Sequence, residues 1–384
     1  MSSIEGSPPL HVFFAYRDSG ERRSALAQAP GALERYRLFG LDELAARGVG
    51  VRHNLERERP SLLARVVDRG LNGVLYGAGG YGGDFVSVLP SLRTMNAGDV
   101  VFSTVDTVGI PLMFLKRAGL VRRPLVYTAI GLPERLVQLR GRLMPRLYAN
   151  RLRACHTIIT YAESEAEWLR AWLGPGAPPI RFVPFGVDVN SFQPMSEVSP
   201  DVDVISVGAD PRRDFELLKG VAARRPELSF RIVASADHAR SLGLLPANVA
   251  LETDIPLEEV RDRIAAARIV ALPVRDNSYS GATTVLLQAM AMAKPVVVSR
   301  TDAVATGYGL ENGINCRLVE PADGDALERA VVELVADAGA ASKLGTRARE
   351  TVERSFSWER YTNALWEILS GTRRPPSGRS AGSP

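Results

Sequence analysis

Ser280-Gly281-Ala282-Thr283-Thr284-Val285-Leu286-Leu287-Gln288-Ala289-Met290-Ala291-Met292-Ala293-Lys294-Pro295-Val296-Val297-Val298 passes from small residues through an apolar, helix-favouring middle to Lys-Pro and a β-branched run. That order describes a loop feeding a helix that turns into a buried strand, one αβ unit of a doubly wound sheet. The amides that open such a helix have no intrahelical partners, and with the helix dipole they suit a diphosphate. The same residues would serve equally as a packed αβ unit that holds no ligand.

Working outward, short apolar runs that read as parallel strands recur between amphipathic stretches. Towards the N-terminus they are Leu10 to Tyr16, Val49 to Asn54, Val74 to Tyr76, Val100 to Thr104, Leu125 to Thr128, Thr157 to Thr160 and Ile180 to Val183. Ala32 to Arg47 and Phe85 to Met95 have helical spacing. A second series follows at Val202 to Val207, Phe230 to Val233, Ile269 to Leu272 and Pro295 to Val298. The alternation predicts two α/β domains, 1–186 and 187–355, whose strand ends face a cleft. Ser357 reads as the N-cap of a last helix over 356–371, and 372–384, rich in Gly, Pro, Ser and Arg, reads as a disordered tail.

Composition narrows the class. The 384 residues carry 47 Lys and Arg against 43 Asp and Glu, a formal charge of +4, with the two signs interleaved rather than gathered into a nucleic-acid-binding stripe. Lys116, Lys219, Lys294 and Lys343 are the only lysines, so the positive charge is mostly Arg, which grips phosphate with two donors. Two distant cysteines, Cys155 and Cys316, support neither a disulfide framework nor a zinc site and fit a cytoplasmic protein. Met1 to Pro9 has no signal-peptide pattern, and no run approaches the roughly 18 apolar residues of a membrane span. The four histidines show no ligand spacing. Arg135, Arg140, Arg142, Arg146, Arg151 and Arg153, interleaved with leucines, read either as a solvated helix face or as a weak peripheral membrane contact.

The 280–298 segment resembles the signature of family-4 retaining glycosyltransferases: Glu, seven residues, Glu, then Ala-Met-Ala, a small residue, Lys and Pro. Other pieces agree in order. Val183-Pro184-Phe185-Gly186-Val187-Asp188 with Phe192 and Pro194 resembles that family's interdomain segment. Ser206-Val207-Gly208 with Arg212-Arg213-Asp214 resembles its strand and basic loop at the donor phosphates, and Glu311-Asn312-Gly313 with Val319-Glu320-Pro321 resembles a later turn. The resemblance covers Ile180 to Leu369 and implies a GT-B fold, with two Rossmann-like domains and a C-terminal helix crossing back to the N-domain. It implies metal-independent, retaining transfer from a nucleoside-diphosphate sugar to a small-molecule, glycan or lipid acceptor, in bacterial antibiotic-type or cell-envelope biosynthesis.

Four positions depart from the family's pattern. Aligned on Ala289-Met290-Ala291, the first Glu falls on Ser280 and the second, which holds the ribose, on Gln288. Ala209 replaces a basic residue, and Ile130-Gly131 stands where the family often has a His. What the resemblance implies is then as follows. Arg213, Asp276 and Ser280 are the candidate catalytic residues; Gly208, Arg213, Gly281, Ala282, Thr283, Thr284 and Gln288 bind the donor; Gly79, Gly80 and Asp84 contact the acceptor. No metal or other cofactor is expected. Gln288 lacks the charge that favours a full ribose, which admits dTDP sugars beside UDP and GDP sugars.

Three alternatives accompany this reading. Asp201-x-Asp203 has the form of a Mn²⁺ motif but opens a strand at the linker. Gly77 to Gly82 spells G-x-G-x-x-G after the expected Val74 to Tyr76 strand, which would suit a dinucleotide-dependent oxidoreductase, although Ser103-Thr104 stand where such an enzyme wants an acid. The four departures also suit a degenerate GT-B protein that binds a partner without turnover.

Overall fold

The computed structural model describes residues 8–56, 61–279 and 281–373. The chain forms two compact units, the first built from residues up to Thr160, Trp168–Arg181 and the chain from Thr362, the second from Tyr161–Glu167 and Phe182–Tyr361. The candidate residue Ser280 and residues 374–384 of the expected tail lie outside the described residues.

The first unit contains β1 (His11–Ala15), β2 (Gly50–His53), β3 (Val100–Ser103), β4 (Leu125–Ala129), β5 (Thr157–Thr160) and β6 (Ile180–Phe182), in the order β2-β1-β3-β4-β5-β6. From β2 to β5 every ladder is parallel. Strands β1, β3, β4 and β5 are almost wholly buried, as continuous apolar runs in a sheet covered on both faces should be.

The second unit contains β7 (Val202–Gly208), β8 (Phe230–Ala234), β9 (Val249–Thr253), β10 (Ala267–Leu272), β11 (Val296–Ser299) and β12 (Arg317–Val319), all parallel in the order β12-β11-β10-β7-β8-β9. Counted from its own first strand this is the order 6-5-4-1-2-3, whose direction of winding reverses between β7 and β10. Its core gathers Val204, Phe230, Ile232 and Ile269 from the strands with Phe215, Leu218, Leu327 and Leu344 from the helices.

The expected strand at Val74 to Tyr76 is the end of a helix, Leu62–Gly77. The apolar run that suggested a strand belongs to an amphipathic helical pattern. Strands β9 and β12 were not expected; both lie at sheet edges and are only part-buried, so their sequences mix polar and apolar residues. The helical stretch at Ala32 to Arg47 breaks into a 3-10 turn, Leu33–Leu38, and a helix, Leu41–Ala46, because Phe39 and Gly40 adopt positive φ. Phe85 to Met95 likewise divides around Pro90 into Phe85–Val88, Leu89–Ser91 and Leu92–Ala97. The last helix, Trp358–Ser370, begins where Ser357 Oγ accepts the Arg360 N–H at 3.3 Å, and its residues from Thr362 onward belong to the first unit.

Candidate functional site

The carboxyl ends of β7 and β10 mark the winding reversal of the second sheet, the place where doubly wound sheets take ligands. The loop after β7 folds across this point. Arg213 forms an antiparallel bridge with Val274, the Asp214 N–H donates to Pro273 O at 3.0 Å and the Arg275 N–H to Arg212 O at 2.8 Å. Asp214 then caps the Phe215–Arg224 helix through the Leu217 N–H, 3.2 Å away. The backbone thus fixes Arg213 independently of where its side chain goes.

That side chain is 2% exposed, and its Nε and Nη1 have no hydrogen-bond partner among the described residues. Burial lowers its pKa to about 10, opposed by the charge of Asp210 and by Tyr279. The guanidinium lies against Gly208, where a Cβ would stand 2.2 Å from Arg213 Nε. Gly208 is therefore needed for the arginine to occupy this place. Two buried guanidinium nitrogens lacking acceptors among the described residues carry a desolvation cost that an anion at this place would offset.

The Thr283–Ala291 helix begins beside this arginine's loop, with Ala282, which offers no side-chain acceptor, at its N-cap. The Tyr279 hydroxyl donates to both carboxylate oxygens of Asp210, at 2.9 and 3.0 Å, and a Cβ on Gly281 would stand 2.9 Å from Asp210 Cγ. Asp210 also accepts the Arg212 N–H at 2.8 Å. Its carboxylate therefore ties the β7 loop to the segment that leads into the helix. The Gly281 N–H donates to Tyr279 O at 2.9 Å, so the first of the expected run of amides at Gly281 to Thr284 is already committed. Gln288 is 3% exposed within the same helix, and Asp276 is exposed on the loop before it.

Within the 280–298 motif Lys294 has a structural role. Lys294 Nζ donates to Ala265 O at 2.5 Å and Ala267 O at 2.8 Å, and burial lowers its pKa to about 8. It satisfies carbonyls at the end of the Leu257–Ala265 helix and the start of β10.

The expected acceptor residues lie in the first unit. The Gly77 to Gly82 loop leaves a helix rather than a strand: the Gly79 N–H donates to Tyr76 O at 3.0 Å and the Gly80 N–H to Leu75 O at 2.8 Å, with φ +84° at Gly79. This is a helix C-cap, which overturns the dinucleotide reading because no strand aims the loop at a helix N-terminus. The glycines admit close neighbours, a Cβ at Gly79 falling 2.5 Å from Arg140 Cβ and one at Gly82 1.5 Å from Asn72 Oδ1. Asp84 caps the Phe85–Val88 helix, accepting the Ser87 N–H at 3.0 Å and also bonding the Ser87 hydroxyl.

Asp201 and Asp203 are likewise committed. Asp201 accepts Arg231 at 3.0 and 3.1 Å; Asp203 accepts the Ser229 N–H and hydroxyl and Arg268 at 2.8 to 2.9 Å. These bonds hold both carboxyls below their ordinary pKa, in Asp203 against the upward push of burial. Among the described residues no group of three or more His, Cys, Asp or Glu has the arrangement to hold a metal ion.

Sequence reasoning missed Asp210, Tyr279 and, in the first unit, Asp106. Asp106 is 2% exposed beyond β3; it accepts the Tyr127 hydroxyl at 2.6 Å and the Ile130 N–H at 3.3 Å, with Arg135 Nε 3.7 Å away. It thereby holds Ile130-Gly131. Burial raises its pKa to about 6, while Tyr127, Arg135 and Ile130 pull it down. The folded state then binds this proton more tightly than the unfolded chain, so stability falls as pH rises from about 4 to about 6 and is level above. Asp106→Asn should remove that slope, and its stability relative to wild type should grow by roughly 2–3 kcal/mol between pH 4 and pH 7. Denaturant titrations at the two pH values check this; a pH-independent difference would exclude it.

Residues 213–337, beginning at the buried arginine, match the family described as "Glycosyl transferases group 1". A GDP-mannose-dependent monoacylated alpha-(1-6)-phosphatidylinositol monomannoside mannosyltransferase of Corynebacterium glutamicum is 25% identical over 222 residues, 51% of this chain and 58% of that protein. A GDP-mannose-dependent alpha-(1-6)-phosphatidylinositol monomannoside mannosyltransferase of Mycolicibacterium smegmatis is 26% identical over 225 residues, 52% of this chain and 58% of that protein. The chain thus matches little more than half the length of these curated relatives. Among solved structures, sucrose-phosphate synthase of Thermosynechococcus elongatus superposes with a TM-score of 0.72 at 18% identity, covering 94% of this chain and 98% of that one. Anabaena HepE in complex with UDP and glucose gives 0.68 at 16% identity, covering 94% and 100%. The chain has the GT-B fold expected from its sequence.

Proposed function

We propose that this GT-B chain is a glycosyltransferase that uses a nucleoside-diphosphate sugar, with Arg213 and the first-turn amides of the Thr283–Ala291 helix receiving the diphosphate. The observation that carries this reading is the Arg213 guanidinium, 2% exposed and lacking acceptors at two nitrogens among the described residues, at the winding reversal of the second sheet. A diphosphate supplies the missing acceptors, and it gains charge as the sugar leaves, when fixed donors lower the barrier most. Gly208 and Gly281 give the room; Gln288 reaches the ribose as a neutral hydrogen-bonding group, and Asp276 and Ser280 contact the sugar. Relatives named for GDP-mannose and a neighbour solved with UDP and glucose support a nucleotide-sugar donor.

Transfer is taken to retain the anomeric configuration: the diphosphate departs, and one of its oxygens accepts the proton of the incoming acceptor hydroxyl on the same face of the sugar. Positioning and charge stabilisation then do the chemistry. The acceptor is a small molecule, a glycan or a lipid, and Gly79, Gly80 and Asp84 of the first unit are assigned to it. The Asp84 cap would keep that loop in place.

A panel of dTDP, UDP and GDP sugars, read by mass spectrometry for free nucleotide and glycosylated product, tests the activity. Turnover is expected with at least one donor, with the product's anomeric configuration unchanged by NMR. Activity should persist in EDTA, because Arg213 and the helix amides neutralise the diphosphate without a cation. Loss in EDTA with recovery on Mg²⁺ or Mn²⁺ would overturn the metal-independent route, and no turnover of any donor would leave a binding protein.

A further inference from the structure

Asp210-Pro211-Arg212-Arg213 closes a turn after β7, with the Arg213 N–H donating to Asp210 O at 3.0 Å. Asp at the first place and Pro at the second suit such a turn. The Asp210 side chain braces it, Oδ1 accepting the Arg212 N–H at 2.8 Å. That role asks for one neutral acceptor, which asparagine or serine would supply as well. The second carboxylate oxygen and the negative charge exceed what the turn needs.

The surplus charge is directed at the donor site. The carboxylate lies over Gly281, where a Cβ would stand 2.9 Å from Asp210 Cγ and Oδ2 and 3.0 Å from Oδ1. The Tyr279 hydroxyl holds it there through both oxygens, at 2.9 and 3.0 Å. Gly281 leads into Ala282, the N-cap of the Thr283–Ala291 helix, so a negative charge rests at the positive end of that helix's dipole. The same charge is the largest influence opposing the fall of the Arg213 pKa that burial causes. It acts on the arginine through space, since Arg213 Nε and Nη1 have no hydrogen-bond partner among the described residues. One carboxylate thus faces both groups assigned to the diphosphate. It cannot share that place with a diphosphate without strong repulsion, because like charges a few ångströms apart are poorly screened where water is scarce.

On the reading that Arg213 and the helix amides receive a diphosphate, we infer that Asp210 is the resident counter-anion of the empty donor site, and that the diphosphate enters by displacing its carboxylate from Gly281 and Tyr279. The displacement leaves the backbone in place, because the Arg213–Val274 bridge and the Asp214 and Arg275 N–H bonds tie the two loops together without it. Asp210 is therefore a positioning residue that acts through its charge. It steadies the buried guanidinium while the site is empty and lowers affinity when the site fills.

Titration calorimetry of the full chain with UDP, GDP and dTDP tests the displacement. Asp210→Asn, which keeps the turn's acceptor and loses the charge, should bind at least one of them at least about tenfold more tightly than wild type. Asp210→Ser should shift affinity in the same direction. Tyr279→Phe, which frees the carboxylate but keeps its charge, should do so by a smaller factor. The counter-anion role is read without any nucleotide: Asp210→Asn should lower the melting temperature of the wild-type chain, and lower that of Arg213→Ala by less, as coupled charges require. Equal shifts in the two backgrounds would overturn the proposal, and so would nucleotide binding that Asp210→Asn weakens or leaves unchanged. Binding of none of the three nucleotides by wild type or variants would overturn the diphosphate site and the displacement with it; the ligand-free melting temperatures set that result apart from a failure of the Asp210–Arg213 pairing.

Discussion

Arg213→Ala is expected to lower the rate of sugar transfer by roughly a hundredfold, the usual size of effect when one fixed donor to a developing negative charge is removed. The stability of the ligand-free protein should not fall with it. The wild-type guanidinium is buried, its pKa drawn down to about 10 by loss of water, and two of its nitrogens lack acceptors among the described residues. Removing it relieves that penalty and leaves a cavity that partly offsets the gain. Falling activity with a level or rising melting temperature is thus the signature of a ligand-facing arginine, whereas a packing arginine would lose both. Gly208→Ala should reproduce the activity loss, since its Cβ would stand 2.2 Å from Arg213 Nε and must displace the side chain. Added to Arg213→Ala it should cost little more, because both changes remove the same interaction. Kinetics and melting curves of the two single variants and the double variant check all three statements; unchanged kinetics in Arg213→Ala would take this residue out of the site.

The largest effect on stability is expected at Gly345. It lies in the middle of the Ala338–Ser355 helix, where propensity alone would make Gly345→Ala stabilising by about 1 kcal/mol. Here the helix crosses the end of the Thr283–Ala291 helix so closely that a Cβ would stand 2.0 Å from Ala293 O and 3.3 Å from Lys294 C. Those neighbours are backbone, in a turn where Ala293 holds φ +55° and Lys294 is tied to Ala265 and Ala267, so they have little freedom to retreat. Overpacking of this kind should cost about 3 kcal/mol net, which for a unit of this size lowers the melting temperature by roughly 6–12 °C. Calorimetry gives the sign directly: a higher melting temperature would mean that propensity, not the helix crossing, governs this position.

Both predictions concern residues whose neighbourhood the sequence revealed to different degrees. The 280–298 stretch disclosed its loop, helix and strand because small residues, an apolar helix and a β-branched run succeed one another without ambiguity. Arg213 was legible from its place between a strand ending in glycine and a helix opening on aspartate. Asp210 and Tyr279 were not, because they meet through a hydroxyl–carboxylate bond across 69 positions of sequence. Asp106 escaped for a related reason: the search for an acid stopped at Ser103-Thr104, while the carboxyl that holds Ile130 begins the next helix. The strand misread at Val74 to Tyr76 followed from reading apolar as buried. In the Leu62–Gly77 helix most of the apolar residues face water, while Asp68 and Asn72 bond the Val86 and Gly83 backbone. Edge strands β9 and β12 were missed because part-buried backbone needs no apolar run.

The division of the chain between its units bears on the order in which they are made. The first unit includes residues from Thr362 onward: Gly40 sits where a Cβ would meet Thr362 at 3.2 Å, Arg47 bonds Asn363, and Arg373 reaches Asp99 at 3.3 Å. The second unit takes nothing beyond Tyr361. During synthesis the ribosome therefore delivers every residue of the second unit before the first is complete. The half translated first must wait, with the face that later meets the Thr362 segment uncovered, until the closing helix emerges.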